Sequence, residues 1–201
     1  MMRFFLKKRK PCGSDAAESG RKMWARRHLH LPQSVVYCKK RFFVGRTLHE
    51  QEKTDGGFSM DDNTDEADVD ITAMTLQCLE AYSDEKNVQQ VIDRGIEFLA
   101  DAQDEDGGYT VYGDKSSESV SQTMIALSTV GIDCNKDERF QKDGKGLYDI
   151  LMQYYQKDGS FSHTPDGESD PMATDQALCA LVSYERLQDE KNTLYDMTDH
   201  R

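Results

Sequence analysis

The sequence of 201 residues contains no long apolar stretch, and this absence limits its relation to membranes. No run approaches the roughly 18 consecutive apolar residues of a membrane-spanning helix, so no membrane span is predicted. Residues 1–10 begin as a signal peptide does, with Phe4, Phe5 and Leu6, but four charged residues follow at once. Because no apolar region develops there, we do not identify a convincing signal peptide.

The sequence also lacks any cysteine pair spaced as Cys-x-x-Cys. Its five cysteines are an odd number, so neither a disulfide framework nor a zinc knuckle is indicated. Cys78 and Cys179 lie in apolar helical stretches, where we expect them to be small core residues. The sequence predicts no metal and no cofactor.

Basic residues are scarce after residue 50. Residues 1–50 hold 13 Lys or Arg against 3 Asp or Glu, whereas the remainder holds 12 against 34. An acidic surface repels phosphate backbones, so residues 51–201 are not predicted to bind nucleic acid. The basic segment, residues 1–50, carries no motif for binding nucleic acid or another polyanion.

One short segment occurs three times at nearly constant spacing. It reads Asp-Gly-Gly-Phe at 55–58, Asp-Gly-Gly-Tyr at 106–109 and Asp-Gly-Ser-Phe at 158–161, and a glutamine precedes each copy. The copies start 51 and then 52 residues apart, and Leu76, Leu127 and Leu178 keep a spacing of 51. A register shared by three copies predicts a repeat protein.

Each repeat predicts two kinds of helix. Helices over 68–82, 119–130 and 170–187 carry almost no charge after their first turn, which is typical of helices surrounded on all sides. Helices over 88–103 and 146–156 alternate apolar and charged faces, as half-exposed helices do. We therefore expect an inner layer of the first kind covered by an outer layer of the second.

Residues 1–47 depart from this register. When the apolar face of the 88–103 helix is shifted back by 51 residues, two of its core positions become Lys40 and Arg41. We predict a basic segment over 1–47 that is disordered or foreign to the fold, although a divergent capping repeat is the alternative. The repeat domain is then expected to cover 48–201.

The Gln-x-x-x-Asp-Gly-Gly-Phe form at 51–58 is similar to the QW motif of the α/α-toroid superfamily of prenyltransferases and squalene cyclases. The strings at 67–74, 172–176 and 194–197 resemble those of bacterial prenyltransferase/squalene-oxidase-repeat proteins, which are often secreted or surface-attached. A full toroid there has about six helical hairpins. The resemblance implies an all-α, partial α/α toroid of about three hairpins, similar to the C-terminal half of a barrel. Its open ends predict exposed apolar surface and self-association.

One motif carries a catalytic alternative. Asp68-Val69-Asp70-Ile71 resembles the DxDD motif of class II terpene cyclases, in which a protonated carboxyl group protonates an alkene or epoxide. The resemblance implies that Asp70 is the proton donor and Asp68 its neighbour. Ile71 stands where the third aspartate is expected, and helix capping explains both carboxylates equally well.

Two patterns are compared with known metal sites. Protein prenyltransferases hold zinc through Asp-x-Cys and a distant His; here only a looser set of Asp175, Cys179 and His163 is present. The acidic loop residues Asp61, Asn63 and Asp65 have the spacing of a calcium loop, but its glycine and its final glutamate are absent. We interpret the first set as unrelated residues, with a Cys/His/Asp cluster as the alternative, and the second as a solvated acidic loop, with a looser oxygen site as the alternative.

Polar residues at the starts of the inner helices are predicted to ring one mouth of the barrel, where a ligand is expected if one binds. The repeat register aligns six of them: Asp68, Ser119 and Asp170, then Thr72, Thr123 and Thr174. Several aromatic residues are expected to pack in the core or between helix and turn rather than form a substrate cage: Tyr82, Tyr109, Tyr112, Phe161 and Tyr184.

The sequence favours a non-catalytic binding or scaffolding module for an unknown small molecule or protein. The resemblance to intrinsic-factor-type vitamin B12 carriers implies ligand binding as one use of such a barrel. A terpene-cyclase-like or prenyltransferase-like enzyme is the second hypothesis. A degenerate fragment without independent function is the third.

Overall fold

A computed structural model describes residues 51–61, 63–196 and 198–199; the segment predicted over 1–47 lies outside them. The described chain is mainly helical, and none of its helices is long and apolar enough to cross a membrane. The α-helices are α1 Val69–Leu79, α2 Lys86–Asp101, α3 Ser117–Thr129, α4 Leu147–Leu151 and α5 Pro171–Gln188. Three 3₁₀ helices span Glu80–Tyr82, Glu138–Phe140 and Met152–Tyr154. Four strands of two residues are β1 Thr110–Val111, β2 Asp114–Lys115, β3 Phe161–Ser162 and β4 Ser169–Asp170.

The helices form two layers. Helix α3 lies between α1 and α5 and contacts both, while α2 packs on α1 and α4 packs on α3. Eleven of the 13 residues of α3 are buried, which explains why its sequence carries so little charge. Helix α2 instead buries one apolar face that includes Val88, Ile92 and Leu99. The inner and outer helix types inferred from charge therefore match the burial of α3 and α2.

The three recurring turns have the same backbone geometry. Gly56, Gly107 and Gly159 have φ angles of 87°, 87° and 90°, in the left-handed region that glycine adopts without a steric penalty. In each turn the aspartate side chain accepts a hydrogen bond of 3.1 Å from the backbone N–H two residues on. The Asp-Gly pair thus specifies the turn locally, which is why it recurs.

The expectation of an all-α fold needs a small correction, because the turns feed short antiparallel ladders. Strand β1 pairs with β2, and β3 pairs with β4. In the first repeat a single bridge joins Phe58 to Asp68. These pairings lead the chain from each turn to the start of the next inner helix. They provide hydrogen bonds for backbone groups outside the helices, and the helical period of the sequence does not predict them.

Helix α3 starts earlier than predicted, and Ser119 is not its capping residue. The N-cap is Ser116, whose hydroxyl oxygen accepts a hydrogen bond of 3.1 Å from the Ser119 N–H. Asp68 and Asp170 are the N-caps of α1 and α5, as expected. The loop between the second turn and α3 is shorter than its counterparts in the other repeats. Helix α3 therefore begins with residues whose counterparts lie in the loop.

The predicted 146–156 helix is divided. Helix α4 has only five residues, and the 3₁₀ helix Met152–Tyr154 follows it. Tyr155 then adopts an extended conformation and forms a bridge with Phe161, which stops the helix. At the end of α3, Gly131 has φ 80° and follows the C-cap, as expected for a C′ glycine.

The three leucines of the repeat register do not have equivalent surroundings. Leu76 and Leu127 are fully buried, whereas Leu178 is 52% exposed. Leu178 lies on α5, which has an inner neighbour on one side only, α3, among the described residues. The sequence keeps the repeat register at Leu178. Among the described residues, however, no neighbouring helix buries this side chain, because α5 lies at the edge of the array.

Three further expectations need correction. Cys78 and Cys179 are half-buried rather than core residues, whereas Cys134 is the fully buried one of the three described cysteines. Tyr112 is 97% exposed because it lies at the tip of the turn between β1 and β2. The other aromatic residues pack as expected, with Tyr109 and Phe161 buried and Tyr82 and Tyr184 against the core.

Candidate functional site

The candidate site is the end of the inner layer at which α1, α3 and α5 begin, and we call this end the mouth. Asp68 caps α1 by accepting a hydrogen bond of 2.9 Å from the Ile71 N–H. Asp170 caps α5 by accepting from the N–H groups of Met172 and Ala173 at 2.7 and 2.9 Å. Both carboxylates therefore stabilise helix starts, and each has an established structural role at the predicted rim.

The predicted rim threonines hold the turns in place. The Thr72 hydroxyl oxygen accepts a hydrogen bond of 2.8 Å from the Phe58 N–H, and Thr174 binds the Phe161 N–H in the same way at 2.9 Å. Thr123 is fully buried, and its hydroxyl oxygen has no hydrogen-bond partner among the described residues. Ser119 is also fully buried and donates a hydrogen bond of 3.0 Å to the Ser116 hydroxyl oxygen. Ligand contact by these residues stays a prediction.

Asp70 has the most unusual environment at the mouth. One of its carboxylate oxygens is buried without a hydrogen-bond partner among the described residues. Burial raises the pKa of the Asp70 carboxyl, and the nearby Asp68 and Glu118 carboxylates add to the rise. A contact with the side chain of Ser119 opposes it. A buried carboxyl that favours its protonated form donates a hydrogen bond or a proton more readily than an exposed one does.

A histidine–glutamate pair next to Asp70 was not predicted from the sequence. The Nδ1 atom of His163 lies 2.7 Å from Oε2 of Glu118. The backbone of His163 also accepts a hydrogen bond of 3.0 Å from the Ser117 N–H. Because these residues are 45 positions apart in different repeats, no local pattern signals the pair. It joins the third turn to the start of α3.

A chain of glutamines crosses the three inner helices. The Gln77 side-chain amide donates to Oε1 of Gln122 at 3.1 Å, and the Gln122 amide donates to Oε1 of Gln176 at 3.0 Å. The three residues come from α1, α3 and α5, so the chain of hydrogen bonds links the three inner helices that the structure describes. They do not share the 51-residue register, which is why the repeat pattern does not reveal them.

The acidic loop with calcium-like spacing binds a side-chain cation of the protein itself. The Lys53 ammonium donates to the backbone carbonyl groups of Asp61 and Thr64 at 3.1 and 2.6 Å. The Asp61 carboxylate accepts from Asn63 through both its N–H and its amide. Those loop oxygens are thus satisfied within the chain.

The looser zinc set is not assembled around one point. His163 pairs with Glu118, as described above, instead of with Asp175 and Cys179. Within 51–61, 63–196 and 198–199, no three His, Cys, Asp or Glu side chains are grouped as a metal site requires.

A surface groove lies at the opposite end of the helices from the mouth. It has a volume of about 480 Å³ and includes Ile92, Ile96 and Ile132 on its walls. Arg139 borders it, but this guanidinium already binds Asp137 and Glu97 at 2.6 and 2.7 Å. Asp70 does not line this groove, so the buried carboxyl and the groove are separate features.

Comparison with known proteins supports the resemblance drawn from the turns. A comparison with curated proteins found no match to the chain. The family model of the prenyltransferase alpha-alpha toroid domain matches residues 71–199, which is more than half of the chain and covers α2 to α5 and all but the first two residues of α1. The chain therefore belongs to the prenyltransferase alpha-alpha toroid domain family.

Proposed function

We propose that the chain is a non-catalytic binding or scaffolding module of the toroid family, and that its inner helices form an open arc. The observation that supports this most directly is the exposed apolar edge of α5. Leu178 is half-exposed although Leu76 and Leu127, at the same register position, are fully buried. Exposed apolar side chains in a row on one helix are typical of surfaces that bind another polypeptide.

The arc that we propose contains about three repeats. The three turns share their hydrogen bonds and φ angles, and three inner helices follow them in order. Outer helices α2 and α4 accompany only the first two inner helices among the described residues. This regular succession of turns and helices favours an intact arc over a degenerate fragment. As in the secreted proteins that it resembles, we propose a setting outside the cell or at its surface.

The mouth supports binding over catalysis. Four of the six predicted rim side chains bond to backbone groups of the fold or cap its helices: Asp68, Asp170, Thr72 and Thr174. Groups used in this way are not free to act on a substrate. Ile71 also removes the third carboxylate that supports the acid in the terpene-cyclase motif.

A terpene-cyclase-like enzyme remains the second candidate, because of one observation. Burial raises the pKa of the Asp70 carboxyl, and a protonated carboxyl group is what alkene protonation requires. However, carbocation chemistry also needs an enclosed apolar cavity that excludes water. Asp70 is only half-buried and has polar neighbours, namely Asp68 and Glu118.

The two candidates are separated by an activity assay on the full chain. We expect no cyclic product from squalene or geranylgeranyl diphosphate, for wild type or for Asp70→Asn. Asp70→Asn is the matched variant because it keeps the shape of the side chain but removes its acidic proton. Cyclic product from wild type that is lost in Asp70→Asn would establish the enzyme and reject the binding module.

A further inference from the structure

The exposed edge of α5 is a continuous stripe with a definite charge pattern. Asp175, Leu178, Val182 and Glu185 are all exposed, and their spacing of three, four and three residues places them along one line of the helix. The two apolar side chains lie in the middle and the two carboxylates at the ends. Among the described residues neither carboxylate lies within salt-bridge distance of a cation, although Lys191, which pairs with Asp189, interacts electrostatically with Glu185 at longer range.

The repeat itself shows what kind of element covers such a stripe. Leu76 is the counterpart of Leu178 in the first repeat, and its side chain lies against α2. A Cβ atom at Gly95 of α2 would come within 2.8 Å of the Leu76 Cδ2 atom, so the two helices are in close contact there. Leu76 is fully buried as a result. The stripe on α5 therefore has the shape that an amphipathic helix of the α2 type fits.

The charges on the stripe argue against a second copy of α5 as the occupant. In a twofold pair of antiparallel α5 helices centred between Leu178 and Val182, Asp175 of one copy would face Glu185 of the other. Each like-charged pair opposes association. The same two carboxylates, about 15 Å apart along the helix axis, attract a partner with cations at that separation.

We propose that the α5 stripe docks a basic amphipathic helix contributed by a partner protein. The apolar side of that helix covers Leu178 and Val182, and lysine or arginine residues flanking it pair with Asp175 and Glu185. This inference rests on the binding function proposed above, since it names the class of partner.

A synthetic peptide based on α2 provides the probe. The peptide has the sequence of residues 86–101 with Asp93, Glu97 and Asp101 replaced by lysine, because these three residues are exposed on α2 and leave its apolar face intact. Its binding to the full chain is measured by fluorescence anisotropy at low ionic strength. We expect saturable binding that weakens as salt is added, since salt screens exposed ion pairs. The unaltered acidic 86–101 peptide is expected to bind several-fold more weakly.

Matched variants locate the binding surface. Leu178→Glu is expected to weaken binding about tenfold or more, as loss of a central apolar contact does. Tyr112→Glu makes the same kind of change at a 97% exposed side chain away from α5, and we expect it to leave binding unchanged. Because both side chains are exposed, both variants should fold, which circular dichroism would verify.

Three outcomes would overturn the proposal: no binding of the lysine-substituted peptide, equal binding by Leu178→Glu, or a wild-type dimer in sedimentation that Leu178→Glu abolishes. The last would assign the stripe to a second copy of the chain. Each of these outcomes is independent of the cyclisation assay, so a failed partner assignment is distinguishable from a failed binding function.

Discussion

At the scale of single residues, the aromatic residue of each turn is hydrogen-bonded to a neighbouring helix, but not always through the same group. Phe58 and Phe161 are fixed through their backbone N–H groups by Thr72 and Thr174. Tyr109 uses its phenol instead, which donates a hydrogen bond of 2.9 Å to the Leu99 carbonyl oxygen. The second repeat thus ties its turn to the outer helix α2, and a tyrosine at this position has a structural reason.

Tyr109→Phe tests this anchor. The variant removes the phenol hydroxyl and leaves the buried Leu99 carbonyl without that donor, so we expect a loss of about 1 kcal/mol in the free energy of unfolding. Urea denaturation of both chains measures the difference. Tyr112→Phe is the control, because Tyr112 is almost fully exposed and should change stability by less than about 0.5 kcal/mol. Equal effects of the two variants would contradict the anchoring role.

Asp70→Asn tests the half-buried Asp70 carboxyl through the dependence of stability on pH. Burial raises the pKa of Asp70, so the folded chain binds this proton more tightly than the unfolded chain does. Its stabilising contribution is full below the unfolded pKa of about 3.9 and is lost as pH rises through the higher folded value. Asparagine carries no charge and avoids this loss. We therefore expect Asp70→Asn to be more stable than wild type at pH 7.

That gain should shrink as the pH falls towards the unfolded carboxyl pKa of about 3.9. Denaturant melts of both chains across the acid range measure it, and the difference between the chains cancels the effects of other carboxylates. A gain independent of pH, or a variant less stable than wild type at pH 7, would show that burial does not raise the pKa of Asp70 in the folded chain.

At the scale of secondary-structure elements, the contact of α1 with α2 depends on one glycine. Gly95 lies in the buried face of α2, where glycine is normally a poor helix former. The close approach of Leu76 explains why it is tolerated, since a side chain at this position would meet the leucine. The packing of inner against outer helix therefore outweighs helix propensity here.

Gly95→Val should destabilise the chain by about 1–3 kcal/mol through overpacking, even though valine is the better helix former. Leu76→Ala alone is expected to lose about 2–5 kcal/mol by leaving a cavity. In the double variant the valine fills part of that cavity, so the combined loss should be smaller than the sum of the two by about 1 kcal/mol. Gln90→Val, on the exposed side of α2, is the control. Additive losses would mean that the two side chains do not meet.

At the scale of the whole molecule, the array has an edge at α5 that its interior lacks. Helix α5 buries only five of its 18 residues, whereas α3 buries eleven of 13. Small residues, including Ala173, Ala177 and Ala180, form its buried side, and α5 packs extensively on α3. The opposite side is left to solvent. The edge is a property of the assembly of repeats, because no single repeat determines whether its neighbour is present.

We predict that residues 1–46 contribute little to the stability of the repeat domain. Their basic composition and the loss of the helical register before Leu48 support this. Denaturant unfolding of the full chain and of a chain starting at Thr47 should give free energies within about 1 kcal/mol of each other. A loss of several kcal/mol on truncation, which is large against typical domain stabilities, would show that the segment belongs to the fold.

Much of the fold followed from local features of the sequence. The Asp-Gly turns, the Asp68 and Asp170 caps and the buried inner helix α3 were all predicted, because a few neighbouring residues determine each of them. The toroid family followed from the turn motif and its spacing. The start of α3 was not predicted correctly. The shorter loop before α3 places its N-cap at Ser116, and no local feature of the sequence indicates which serine caps the helix.

The candidate site depended on the tertiary structure. The Glu118–His163 pair and the chain of glutamines join residues 45 to 54 positions apart, so they exist only once the inner helices lie side by side. The sequence placed Leu178 in the same register as Leu76 and Leu127, and it determined that the side chain is apolar. Only the tertiary structure decided that Leu178 is exposed, because burial depends on the neighbour that packs against a residue and not on the residue itself.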